Sequence, residues 1–262
     1  MEKELTDTFE FIRPQLRSFI LRMTASTADT DDIVQDTWIK AFQNITSFQG
    51  NSSLKTWLFS IASNLAKDNL CLKKRWTEDA SDICKQAALG NRAFFEEAMN
   101  IRMTSPQGHF EIREHINFCF TCISKSLPLE QQLALLLKEI YEFKVKEIAE
   151  ILNVSEAMGK YYLHVGRSKM MEIFDRRCAL INKEGVCHQC TELNGIFNPK
   201  QNAQEALMKI EMAREAGQKD KESLFELRMK IVQGIDPFES AAAELQLHHL
   251  EHNRVVMEQY LA

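Results

Sequence analysis

Apolar residues recur at intervals of three and four along most of the chain, which is the period of α-helices lying against a core. Phe9, Ile12, Leu16, Phe19, Ile20 and Met23 make one stripe and predict a helix over 5–23, with a kink at Pro14. A second helix opens with TADTDD, whose carboxylates suit the positive end of a helix dipole, and carries Ile33, Val34, Trp38, Ile39 and Phe42. NITSFQGNSS then breaks the period, and Ser52 or Ser53 can cap a third helix. Residues 77–110 are weakly periodic, broken by LGN and SPQG, and read as a linker with some helix before a further helix from about Glu111 to Lys125. After Leu127-Pro128 the pattern gives helix, helix, turn, helix. Beyond Cys178 it gives a cysteine-bearing loop, a turn at FNPKQ and three more helices, with breaks near Gly217 and at Gly234 to Pro237.

With 9 glycines and 5 prolines in 262 residues, the composition fits the same picture, an all-α protein of two small helical domains plus appendages. The segments are 1–76, a linker at 77–124, 125–177, and a C-terminal extension at 178–262. Net charge is −5 and unevenly spread: segments one and three carry 10 basic against 9 acidic and 9 against 8, the linker 4 against 7, the extension 9 against 13. Nucleic-acid contact would therefore have to come from local patches in the first and third segments. No apolar run approaches 18 residues, and MEKELTDTFEF has no signal-peptide pattern, so a cytoplasmic location without membrane contact is expected. The seven cysteines, an odd number, read as thiols or metal ligands.

The third predicted helix ends in KKRW. One cation would complement the helix dipole, whereas three in a row beside an indole suit a phosphate backbone. VKEIAEILNVSEAMGKYYLHVGRSKM has the layout of a helix-turn-helix: Ile148, Ala149, Ile151 and Leu152 pack the first helix, Asn153-Val154 turns, and Ser155 caps the second. Lys160, Tyr161, His164, Arg167 and Lys169 then face phosphates and base edges.

These stretches, in this order, resemble the bacterial RNA polymerase sigma factors of the extracytoplasmic-function (ECF) type, in which two helical domains, regions 2 and 4, are joined by a linker. DTDDIVQDTWIKAF is similar to the family's core-binding helix, SFQGNSSLKTWLFSIASNLAKDNLCLKKRW to its promoter-melting loop and helix, and SLPLEQQLALLLKEIYEFKVKEIAEILNVS to the start of region 4. The resemblance implies that Asp32, Gln35, Asp36, Ile39 and Phe42 meet the core RNA polymerase. It implies that the loop from Ile45 to Ser53 holds an unstacked base of the −10 element, and that Lys55, Asn64, Lys67, Lys73, Lys74 and Arg75 follow phosphates. Trp76 would stack on a base or pack under the linker. Ser155, Lys160, Tyr161, His164, Arg167 and Lys169 would meet the −35 element. Where the family usually reads S.GTVKSRLHRARKKL, this chain has Gly159, Tyr162 and Val165, which implies a weaker grip.

EHINFCFTC places His115, Cys119 and Cys122 on one helix face, a spacing similar to the motif of zinc-binding anti-sigma factors. CALINKEGVCHQC adds Cys187 and Cys190, so zinc is a candidate ligand although none is required. The alternative is that Cys119 and Cys122 pack with Ile116, Phe120 and Ile123. The acidic extension reads either as a small bundle packing on region 4 or as an autoinhibitory or partner-binding element. His248, His249 and His252 are expected to be solvated.

The leading function is thus a non-catalytic sigma factor with core polymerase, promoter DNA and an anti-sigma factor as partner classes. The alternative is a polymerase-binding regulator without autonomous promoter recognition and with a metal- or redox-responsive tail. A thiol-disulfide enzyme is disfavoured because no βαβ pattern surrounds CFTC or CHQC.

Overall fold

A computed structural model describes residues 1–104, 112–178, 185–186, 220–240 and 242–262. They form α1 (Glu2–Thr24), α2 (Thr27–Asn44), a 3-10 turn at Ile45–Ser47, α3 (Leu54–Leu70), α4 (Ala80–Leu89), α5 (Arg92–Thr104), α6 (Ile112–Ser124), α7 (Leu129–Glu139), α8 (Val145–Leu152), α9 (Glu156–Arg177), α10 (Lys221–Gln233) and α11 (Ala243–Leu261). The protein is all-α, as its periodicity predicts. The helix expected around Ala206–Met212 lies outside the described residues. Two compact bodies emerge, Met1–Arg75 with Leu127–Gly166, and Trp76–Ser126 with Arg167–Ala262.

In the first body α1, α2 and α3 pack on one another, and α3 also packs on α8. The predicted stripe of α1 is buried from Leu5 to Met23, and the helix continues through Pro14. Ser26 caps α2 by accepting from Asp29 N, and Ser53, of the two serines considered, caps α3 by accepting from Thr56 N. Phe59 sits at the centre, fully buried, with ring centroids 5.3 Å from Phe19, 5.7 Å from Tyr141 and 4.8 Å from Phe143. The Tyr141 hydroxyl donates to Ser18 Oγ at 3.0 Å, so the ring's polar end is satisfied as well. The segment after Pro128 therefore contributes to the same core as α1 and α3. Truncating Phe59 to Ala would cost about 3–5 kcal/mol.

The helix-turn-helix closes as its sequence requires. Asn153 adopts a left-handed conformation (φ 54°), Val154 N donates to Ala149 O, and Ser155 Oγ accepts from Met158 N. Gly159 lies against Ala149, and Gly166 lies against the backbone of Gln131.

In the second body α11 packs against α4, α5 and α6, and α10 packs against α6. Phe120, Ile173, Val232 and Met257 are fully buried. The solvated placement expected for the α11 histidines is corrected here: His248 and His252 stack on Phe94, with centroids 4.7 and 4.1 Å away, and His249 meets its edge. Burial and the neighbouring imidazoles lower His249 to about 3, and burial also lowers His252. Among the described residues no helix is long and apolar enough to cross a membrane.

Candidate polymerase and nucleic-acid interfaces

One face of α2 supplies the core of the first body and the opposite face is left to solvent. Ile33, Val34, Thr37 and Ala41 are buried, while Asp32, Gln35, Asp36, Ile39 and Phe42 are exposed, with Ile39 at 40% and Phe42 at 47%. Phe42 is backed by Trp38 (5.6 Å), itself against buried Phe9 (4.9 Å), so an aromatic relay props the exposed ring from the core. All five residues expected to meet core polymerase thus share one acidic, apolar surface.

The loop after the 3-10 turn is pinned by Phe48, whose ring lies 5.0 Å from Trp57. Gln49, Gly50 and Asn51 are exposed beyond it, and Gly50 has φ 70°, a conformation that favours glycine. Along α3, Asn64 is exposed and Lys67 half-buried. Other cations of this stretch are committed within the fold, which departs from their expected role along phosphates. Lys55 Nζ lies 4.9 Å from the Phe143 ring centroid, and Lys73 pairs with Asp29 at 3.1 Å. The departure is sharpest at Arg75. Its guanidinium donates to Leu127 O at 2.7 Å and to Gln132 Oε1, tying the segment that follows α3 to the start of α7. Burial lowers its pKa to about 10, partly offset by Glu130, so it remains a cation. Lys74 is exposed.

Trp76 adopts the packed one of its two expected placements. It is 7% exposed, its backbone N–H donates to Lys125 O, and Lys125 Nζ lies 5.0 Å from the ring centroid.

On α9, Ser155, Lys160, Tyr161 and His164 are exposed, Tyr161 at 55%. Ser155 is at the same time the helix cap. The cations further along are matched by carboxylates. Arg167 meets Glu222 at 3.1 Å and Glu226 at 3.4 Å, and Lys169 meets Glu78 at 3.0 Å. Arg176 pairs with Glu78, and Arg177 with Asp82. Partial burial alone would raise the Glu78 carboxyl, but its bonds from Lys169 and Arg176 bring it below the usual range; the bond to Glu78 raises Lys169. No periodicity connects Glu78 or Glu222 with α9, so these pairings leave no signal in the sequence.

His115 is 1% exposed, and burial, then the Arg228 guanidinium, lowers it to about 4. Burial pushes the Cys122 thiol up to about 12, and its Sγ accepts from Asn253 Nδ2 at 3.7 Å. Cys119 is half-buried. Among the described residues no group of three or more His, Cys, Asp or Glu side chains is placed to hold a metal ion, and Cys187 and Cys190 lie outside those residues.

Comparison with known proteins agrees with this layout. The family model Sigma-70 region 2 matches residues 9–77, and Sigma-70, region 4 matches residues 118–170. The ECF RNA polymerase sigma-E factor of Salmonella typhimurium is 30% identical over 139 residues, which cover 53% of this chain and 70% of that protein. The ECF RNA polymerase sigma factor SigM of Bacillus subtilis is 27% identical over 172 residues, 66% of this chain and 96% of its own. EcfG of Rhodopseudomonas palustris, also an ECF RNA polymerase sigma factor, is 29% identical over 158 residues, 60% and 77% of the two chains. An exposed acidic and apolar face on α2, a capped helix-turn-helix and these matches lead to one conclusion: the chain belongs to the ECF sigma factors, the non-enzymatic subunits of promoter-directed transcription initiation.

Proposed function

We propose that this chain binds core RNA polymerase through Asp32, Gln35, Asp36, Ile39 and Phe42, and that it reads two promoter elements. The −10 element is met by the loop after Ile45 together with Asn64, Lys67 and Lys74, and the −35 element by Lys160, Tyr161, His164, Arg167 and Lys169 of α9. The observation that carries the reading is the surface of α2, where Ile39 and Phe42 stay exposed among acidic residues although the same helix supplies the core on its other side. Apolar side chains held out in this way suit a protein partner. The cytoplasm is where both partners are found.

The test is binding of the full chain to purified core polymerase. Ile39→Ala with Phe42→Ala should weaken it at least tenfold, as expected of a central apolar contact, while the variant still unfolds cooperatively, at a cost of no more than about 2 kcal/mol for the half-covered parts of the two side chains. Equal core affinity in the variant would refute the assignment of this face.

A second reading is favoured by the engagement of Lys55, Arg75, Arg167 and Lys169 inside the fold. In it the chain is a polymerase-binding regulator without autonomous promoter recognition, with a metal- or redox-responsive tail built on Cys187 and Cys190. Transcription from discrete starts separates the two.

A further inference from the structure

The tail helix α10 lies against the same stretch of α9 that carries Arg167. Its apolar side, Leu224, Phe225, Met229 and Val232, is buried, and Asp220 caps its N-terminus by accepting from Ser223 N at 2.8 Å. Two further side chains hold it in register. Lys221 pairs with Asp175 of α9 at 2.7 Å, and the Arg228 guanidinium lies 3.5 Å from the Phe174 ring centroid while donating to Cys178 Sγ. Glu222 and Glu226, one helical turn apart, therefore point along one face and meet the single guanidinium of Arg167, with the Phe225 ring 5.2 Å from it. Two carboxylates flanking one guanidinium, over an aromatic ring, offer Arg167 the charge that a phosphate backbone would offer.

We propose that the acidic face of α10 is an internal stand-in for promoter phosphate: it occupies Arg167, so that DNA and the tail helix compete for the same cation. This rests on the reading of Arg167 as a DNA contact. The competition has a thermodynamic signature. An arginine already neutralised within the protein holds no counterion-releasing contact in reserve, so binding DNA through it exchanges one ion pair for another. Freeing it adds a phosphate contact, and with it a steeper dependence on salt.

The test uses the full chain and a short fluorescent random-sequence duplex, titrated by anisotropy across salt concentrations, since phosphate gripping is independent of sequence. Glu222→Gln with Glu226→Gln is the informative variant. Both side chains are mostly exposed, at 66% and 60%, and the apolar face that docks α10 is untouched. It should bind at least threefold more tightly at low salt, with the slope of log K against log salt steeper by about 0.9. Arg167→Gln should then remove that gain, costing at least threefold more in the Gln background than in the parent. A gain that persists without Arg167 is a general charge effect and overturns the proposal. Unchanged affinity in the Gln variant, while Arg167→Gln weakens the parent, overturns the proposal but leaves Arg167 as a DNA contact. If Arg167→Gln changes nothing in either background, the assignment of Arg167 to DNA fails with it.

Discussion

Two glycines in α9 should respond differently to alanine, one substitution stabilising and the other not. At Gly159 an added Cβ would lie 3.8 Å from Ala149 Cβ and 3.9 Å from its Cα and N, ordinary contact distances with nothing to displace. The helix gains about 1 kcal/mol of propensity, and a buried methyl adds up to about 0.8 kcal/mol, so Gly159→Ala should stabilise by about 1–2 kcal/mol. At Gly166 the Cβ would lie 3.1 Å from Gln131 O and 3.3 Å from Gln131 Cβ, and a backbone oxygen on α7 cannot swing away as a side-chain tip can. Overpacking of about 1–3 kcal/mol there cancels or exceeds the same propensity gain. Urea unfolding followed by circular dichroism at 222 nm, with all three proteins at one concentration, measures both. Gly166→Ala stabilising as much as Gly159→Ala, or Gly159→Ala destabilising, would refute the packing of α9 on α7 and α8. The outcome bears on the proposed function because Gly159 lies one residue before Lys160, in the part of the helix proposed to meet the −35 element.

Removing Arg75 should act on folding first: Arg75→Ala leaves Leu127 O and Gln132 Oε1 without their charge-assisted donor, and should cost about 2–3 kcal/mol in urea unfolding. A loss below 0.5 kcal/mol, the range of surface changes, would return Arg75 to the phosphate-contact role. His115 predicts acid sensitivity, because the unfolded chain accepts a proton below pH 6.5 that the folded one refuses until about 4. Its contribution is complete above pH 6.5 and falls by about 1.4 kcal/mol per pH unit below it, to a limit near 3 kcal/mol. His115→Gln should therefore flatten the stability profile between pH 6.5 and 5 by about one proton, and an unchanged slope would count against a buried neutral imidazole. Cys122→Ala should leave the protein's response to metal chelators unaltered and reduce stability only through lost packing and the lost bond from Asn253, read by unfolding with and without a chelator.

The helices were legible because their signals are local. Stripes at three and four residues mark α1, α2 and α7, Ser26 and Ser53 sit where caps belong, and Asn153 is the residue type that tolerates the left-handed turn. The exposed face of α2 was legible for the same reason, since helical phase separates Ile39 and Phe42 from Ile33 and Val34. The uses of individual cations were not. Arg75 and Gln132 are 57 positions apart, Lys169 and Glu78 are 91 apart, and a run such as KKR looks alike whether it faces phosphate, carbonyl or carboxylate. Trp76 posed the same problem, because an indole that stacks on a base and one that closes a core have the same residue type and neighbours. The α11 histidines read as solvated because Phe94, on which they stack, lies more than 150 residues away in the chain.

The measurement closest to the central claim is to mix the full chain with core RNA polymerase and fragmented DNA of its own genome and to map the 5′ ends of the transcripts. The account predicts discrete starts that share a two-part motif upstream, lost when Ile39 and Phe42 are replaced by Ala. Core binding without discrete starts, in the Glu222→Gln, Glu226→Gln variant as well as in the parent, would contradict promoter recognition by this chain and leave the regulator reading in its place.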